Sequence, residues 1–393
     1  MPARADGAID RGAYLAVLGD CAGCHTAPHQ PPWSGGLPFT MQFGTVYSTN
    51  ITPDRETGIG SWNKDQFYRA LHQGIAADGH HLYPAFPYSY FARVSRADSD
   101  DLFAYLQSLK PVYRKPTPND LVFPFNIRSL LVFWNWLYLR EGEFKPEPAK
   151  SPGFNRGKYL VTGLGHCAGC HTPKDPLFGD IESRALTGEV VEGWSAANLT
   201  GARPDGLFTW KTEDIAHYLA TGRNQFATAA GTMQEKVSLS TSRMTRGDRA
   251  AIALYLKSLP ARGSKPSGPP DAAQMRRGEA VFTAHCSYCH TAQGVPEVLH
   301  AGALPDYPKL PGDTLVLAQD ATTVLHIILK GADAPVTAND RPTFSMPSFG
   351  SLDDQAVADV ATYVRNAWGN RASAVRARDV ARLRGEIAAL PPG

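Results

Sequence analysis

The sequence predicts a mainly α protein assembled from three tandem copies of one small helical unit, and three observations predict it. A Cys-x-x-Cys-His string occurs three times, as CAGCH at 21–25, CAGCH at 167–171 and CSYCH at 286–290. Each string follows a stretch that opens on Arg-Gly: RGAYLAVLGD from Arg11, RGKYLVTGLGH from Arg156 and RGEAVFTAH from Arg277. Each is then followed by a middle and a closing segment whose apolar residues recur at helical spacing.

The middle segments read WNKDQFYRALHQG (62–74), WKTEDIAHYLATG (210–222) and DATTVLHIILKG (320–331). The closing segments read DSDDLFAYLQSL (98–109), RGDRAAIALYLKSL (246–259) and DDQAVADVATYVRNAW (353–368), with AYL, LYL and TYV at matching places. Three units therefore fill residues 1–115, 150–262 and 270–370. PTPND (116–120) and SKPSGPP (264–270) are turn-rich and read as linkers. Between the first two units, 116–149 is an aromatic linker or contact segment; the tail, 371–393, reads as one more short helix ending in Leu-Pro-Pro-Gly.

All six cysteines fall inside the three strings, so none remains for a disulfide, or to close a zinc site. Cys-x-x-Cys-His is the attachment pattern of c-type haem. Two thiols one helical turn apart meet the two vinyl groups of a porphyrin, and the next residue places an imidazole under the iron. Cys21 and Cys24, Cys167 and Cys170, and Cys286 and Cys289 would hold three covalent haem c groups, with His25, His171 and His290 as proximal ligands. A helix before the haem string, loops around it and an aromatic-bearing closing helix is the layout of a small class I cytochrome c domain. The fold class is thus mainly α, three tandem class I cytochrome c domains.

Composition excludes other classes. With 39 basic and 37 acidic residues the formal charge is +2, which gives no nucleic-acid footprint. Three haems carry six propionates, and their ionisation would make the loaded protein mildly acidic. No apolar run is long enough to span a bilayer. The opening MPARADGAIDRG lacks a signal-peptide core, so either the protein is cytoplasmic or the numbering starts after a removed signal.

A class I domain takes its sixth ligand from a loop before the closing helix, commonly a methionine, which favours ferrous iron. In the third unit FSMPSFG presents Met346. The second unit offers Met233 and Met244; Met233 is preferred because it lies on a Gly-rich loop that could lie against a haem face, whereas Met244 abuts the closing helix and packs there. Met275 precedes its haem string and reads as helix packing. The first unit has no methionine in this window. GHHLYPAFPYSYF (79–91) supplies His80 and His81 instead, with Met41 on the far side of the middle helix. His81 is preferred because it adjoins the apolar Leu-Tyr-Pro run; His80, Met41 and no protein ligand stay open.

The strings YSTNITPDRETGIGSW (47–62), LYPAFPY (82–88), FPFNIRSLLVFWNWLYL (123–139) and NRGKYLVTGLGHCAGCHTP (155–173) together resemble the triheme cytochrome c subunits of bacterial periplasmic dehydrogenases, over about 370 residues. That group includes the cytochrome subunits of alcohol, gluconate, sorbitol and fructose dehydrogenases. The resemblance implies a subunit that accepts electrons from a catalytic subunit bearing flavin, quinone or molybdenum and passes them to ubiquinone or another acceptor. Members with a YPAMPY loop carry the axial methionine where this chain has Phe86, so that ligand does not transfer. Some members also end in a hydrophobic anchor that this sequence lacks.

The leading expectation is an electron-transfer subunit that is not catalytic alone. The alternative is a multihaem redox enzyme whose first haem has an open iron that binds a small substrate, which Phe86 supports. Haem c is attached outside the bacterial inner membrane, so the expected location is periplasmic and associated with that membrane. Residues 121–139 are the expected contact surface: Trp134, Trp136 and Tyr138 suit a membrane interface or a partner groove, or else packing between haem units.

Overall fold

The computed structural model describes residues 2–191, 193–263, 268–295, 307–342 and 344–389. Most of the SKPSGPP linker and the final Leu-Pro-Pro-Gly lie outside the described residues. By internal contacts the chain divides into two compact units, one of residues 1–169, 174–180 and 239–252, the other of 170–173, 181–238 and 253–393.

The helices in chain order are α1 (Pro2–Leu18), α2 (Cys21–His25), α3 (Lys64–Gln73), α4 (Tyr88–Phe91), α5 (Arg96–Ser108), α6 (Leu131–Tyr138), α7 (Pro152–Tyr159) and α8 (Cys167–His171). They continue as α9 (Thr212–Thr221), α10 (Thr232–Leu239), α11 (Arg246–Lys257), α12 (Ala272–His285), α13 (Ser287–His290), α14 (Thr322–Lys330), α15 (Asp354–Asn366) and α16 (Ala377–Ala389). The middle and closing helices expected from periodicity are α3, α9 and α14, and α5, α11 and α15. The tail helix is α16.

Local chemistry sets their ends. Asn63 and Gln66 form a reciprocal capping box at the start of α3, and Gly74 ends that helix at φ 64°. Gly222 ends α9 in the same left-handed way, at φ 80°. Ser95, Ser151, Asp271 and Asp353 cap α5, α7, α12 and α15 by accepting from a backbone N–H three residues on.

The Arg-Gly pairs are explained by one crossing that recurs three times. Arg11 on α1 forks onto Asp101 of α5 at 2.7 and 3.2 Å. Arg156 on α7 forks onto Asp248 of α11 at 2.7 and 3.0 Å. Arg277 on α12 forks onto Asp359 of α15 at 2.6 and 3.1 Å. The adjoining glycine lets the helices touch: a Cβ on Gly12 would lie 2.0 Å from the Asp101 carbonyl oxygen, and one on Gly278 2.2 Å from that of Asp359. Within the first unit the tyrosines of RGAYL and RGKYL reach across to the other repeat. Tyr14 donates to Asp248 at 2.6 Å, and Tyr159 to Asp98 at 2.6 Å.

Short antiparallel strands, which periodicity does not announce, fill the loops. β1 (Pro38–Met41) pairs with β2 (Gly44–Tyr47), which also pairs with β3 (Asp120–Leu121). In the second unit β4 (Glu189–Val191) pairs with β5 (Trp194–Ala196), and β6 (Ala332–Asp333) with β7 (Ser345–Met346). Phe282, Leu325, Ile328, Val357 and Leu383 centre the core around α12, α14, α15 and α16. Arg365, fully buried there, is satisfied by the carbonyls of Val316, Ala318 and Ser373.

Candidate haem sites and the exposed aromatic face

Each Cys-x-x-Cys-His string forms a single helical turn or ends one, which sets its two thiols on one side and brings the histidine round beside them. The three histidines then make the same choice. His25 Nδ1 lies 2.7 Å from the Thr49 carbonyl oxygen, His171 Nδ1 2.7 Å from that of Ala197, and His290 Nδ1 3.1 Å from that of Pro308. A ring that donates from Nδ1 to a carbonyl presents Nε2 as the lone-pair nitrogen, the tautomer a metal takes. Burial lowers the pKa of all three imidazoles and favours that neutral form; the carbonyl bonds offset part of the effect. Burial also raises the Cys286 thiol to about 11.

A polar clamp holds the first two carbonyls in place. Asn50 Oδ1 accepts from the Thr52 N–H at 2.9 Å and from its hydroxyl at 2.8 Å, and the Asn50 amide donates to the Val112 carbonyl at 2.7 Å. Asn198 repeats this with Thr200 at 2.9 and 2.8 Å and with the Arg262 carbonyl at 2.8 Å. Thr49 and Ala197, which face the imidazoles, are the residues just before the two asparagines. Sequence reasoning missed this clamp as a functional element, although the parallel strings NIT (50–52) and NLT (198–200) signal it.

The distal segments show a common register. Ile75 bridges His81, and Leu82 donates to the Gly74 carbonyl at 2.7 Å; Arg223 bridges Thr228, and Ala229 donates to the Gly222 carbonyl at 2.7 Å. Counting four residues on from Leu82 and from Ala229 gives Phe86 and Met233, so the two match in number from this register, Phe86 in the turn before α4 and Met233 in α10. Met233 sits in the first turn of α10, not on the open loop that its glycine-bearing flank suggests; Gly231 ends that loop at φ 57°. Met244 is 5 % exposed, and its carbonyl accepts from Arg249 at the start of α11. Met346 lies in β7 opposite Ala332 and packs half-buried against the second unit's core. Met275 lies within α12, and Met41 ends β1 in the hairpin.

The adjacent histidines of the first unit differ. His80 is exposed and its Nδ1 pairs with Asp78 at 2.6 Å. His81 is half-buried, its carbonyl accepts from Arg128 at 2.8 Å, and its Nδ1 is shut off from solvent with no hydrogen-bond partner among the described residues. Phe86 packs against Phe91, ring centroids 5.4 Å apart. In the second unit the indole N–H of Trp210, 4 % exposed, is likewise without a partner. Buried polar atoms of this kind ordinarily have partners, so the chain's donor and acceptor set fits a large polar-edged group such as haem.

The 121–139 segment is two-faced. Leu131 is buried, Asn135 accepts from the buried Tyr88 hydroxyl at 2.7 Å, Trp134 donates to the Leu177 carbonyl at 2.8 Å, and Tyr138 donates to Asp175 at 2.7 Å. On α6 the opposite face carries Phe133 and Trp136 at 66 % and 78 % exposed, with Val132 and Leu137 beside them, and Val122 and Phe123 earlier in the segment are exposed too. So many exposed large apolar side chains in one short segment are unusual on a protein without a partner. Among the described residues, no helix is long and apolar enough to cross a membrane.

A thiol pair one turn apart, an imidazole fixed by a backbone carbonyl, and an Arg-Gly helix crossing a closing helix define a c-type cytochrome. The cytochrome c family profile matches residues 275–368. The gluconate 2-dehydrogenase cytochrome c subunit of Pantoea cypripedii is 37 % identical over 401 residues, covering 96 % of this chain and 90 % of that protein. The cytochrome c subunit of the quinone-dependent alcohol dehydrogenase of Gluconobacter oxydans is 35 % identical, covering 96 % and 82 %. A diheme cytochrome c-type protein of Cereibacter sphaeroides is 40 % identical over 65 % of this chain. The chain belongs to the family of cytochrome c subunits of dehydrogenases. It is therefore a haem c protein of electron transfer.

Proposed function

We propose that this chain is a triheme electron-transfer subunit, three class I cytochrome c domains in tandem, which relays electrons from a partner dehydrogenase's catalytic subunit to ubiquinone or another respiratory acceptor. The observation that carries the reading is the threefold recurrence of a thiol pair beside an imidazole whose Nδ1 is committed to a carbonyl. Haem c, when bound, supplies one-electron chemistry, and the chain's own residues fix each imidazole and exclude water from it.

The proposed ligand pairs are His25 with His81, His171 with Met233, and His290 with Met346. Met233 is supported by its place in the register, where the first unit has Phe86; His81 is supported by its enclosed, unpartnered Nδ1. A thioether favours ferrous iron and a second imidazole does not, so the first haem has the lowest potential of the three. The exposed face of 121–139 is the contact surface for the catalytic subunit or the membrane, and the working location is periplasmic, at the inner membrane. The catalytic subunit's cofactor is flavin, quinone or molybdenum.

The test is purification of the holoprotein with its native partner, followed by addition of the partner's substrate. The proposal expects all three haems to be reduced at the rate of substrate oxidation. One observation favours a second reading: Phe86, which the register matches in number to a methionine of the second unit, leaves room for an open first iron that acts on a small substrate. Rapid, stoichiometric carbon monoxide binding to one haem of the reduced wild-type protein would favour that reading.

A further inference from the structure

Trp194 belongs to no sequence motif, yet within the second unit it touches the segment that bears Met233 and the helix that leads to the Met346 pairing. It opens β5, three residues before Ala197, whose carbonyl holds the His171 imidazole. One face of the indole lies on His326 of α14, with ring centroids 4.0 Å apart and planes inclined by 14°. His326 is 7 % exposed and its Nδ1 lies 3.2 Å from the Gly193 carbonyl oxygen. The next residue, Ser195, is locked to the same helix: its N–H donates to the Thr323 hydroxyl at 2.7 Å, and its hydroxyl to Asp320 at 3.1 Å.

The indole also presses on Gly231. A Cβ there would lie 2.1 Å from the ring, so only glycine admits the tryptophan, two residues before Met233. Trp194, Gly231 and Gln234 line a cavity of about 460 Å³ together with Lys330, Met346 and Pro347. One ring therefore abuts the segment bearing Met233, the helix that leads into the Ala332–Met346 pairing, and the cavity beside Met346 itself.

We infer that Trp194 is a positioning residue shared by the second and third haems, holding the Met233 and Met346 segments in place together. The inference rests on the proposed ligand pairs. The indole stacks on His326 and presses on Gly231, so its loss frees both the segment bearing Met233 and the helix that leads to the Met346 pairing. His326, although it lies on the helix leading to the third haem's methionine, supports the second haem's methionine through the indole. The two haems are thereby neighbours in the relay.

The experiment compares holoprotein variants Trp194→Ala, Trp194→Phe and His326→Leu, with Met233→Ala and Met346→Ala as single-haem references. Ferric low-temperature electron paramagnetic resonance and the long-wavelength methionine–iron band are recorded, with far-ultraviolet circular dichroism to establish folding. Trp194→Ala is expected to lose the methionine signature at both the second and third haems, with the first haem unchanged. Trp194→Phe keeps both. His326→Leu, the milder variant, is expected to alter the second haem's signal as well as the third's. A change confined to one haem, or none, in folded Trp194→Ala and His326→Leu overturns the inference. If the methionine variants fail to alter one haem each, the ligand pairs fall, and the inference with them.

Discussion

Asn198→Ala tests the link between a buried amide and a haem ligand. Asn198 is 4 % exposed and makes three hydrogen bonds, two with Thr200 and one to the Arg262 carbonyl. Thr200 is 1 % exposed, so water does not replace what the amide supplied. Three bonds at about 1 kcal/mol each, plus the cost of leaving buried partners unmet, give a loss of about 3 to 5 kcal/mol. The adjoining Ala197 carbonyl also loses its anchor, so His171 turns more freely. Urea unfolding of the holoprotein reads the stability, and ferric electron paramagnetic resonance reads the haem. The second haem's signal should broaden or shift while the others hold. The matching Asn50→Ala should do the same to the first haem through Thr49. A loss below about 1 kcal/mol with unchanged spectra would refute the reasoning.

Met346→Ala and Met233→Ala should each remove the methionine–iron band of one haem and lower its potential, whereas Met244→Ala, a buried packing residue, should leave the spectrum alone. His81→Ala should turn one haem high-spin and open it to carbon monoxide; if Met41→Ala does so instead, Met41 is the ligand. Gly278→Ala puts a Cβ 2.2 Å from the Asp359 carbonyl oxygen and should cost about 1–3 kcal/mol in thermal or urea unfolding, by forcing α12 off α15. Burial pushes the Asp313 carboxyl up to about 7, so between roughly pH 4 and that value the folded protein holds a proton that the unfolded chain has released. Stability should fall as pH rises through this window. Asp313→Asn, whose side-chain oxygen can still accept from Leu315 and Val316, should flatten the slope.

The middle, closing and tail helices were legible because each buries one stripe, whereas α4, α6 and α10 were not, being four to eight residues long. The three Arg-Gly pairs stood out as a repeat before their reason was visible. That reason, an arginine fork and a touching glycine at a helix crossing, needs the partner helix some 80 to 90 residues away, as with Arg11 and Asp101 or Arg277 and Asp359. The haem strings were legible because covalent attachment demands a fixed local spacing. The distal side was harder, since a sixth ligand arrives from a loop whose register is set by backbone bonds such as Leu82 to Gly74. That register matches Phe86 in number with Met233, which sequence spacing from the closing helices does not. The strands were invisible because they are two to four residues long and follow no alternation. Trp194 was invisible for a different reason: its meaning lies in Gly231 and His326, both far along the chain.

The most direct test of the account counts the electrons that one chain holds. A coulometric titration of the purified holoprotein, paired with its intact mass, gives electrons and covalent haems per polypeptide. The account expects three of each, with the lowest-potential step belonging to the haem held by His25. Two electrons and two haems per chain would contradict it.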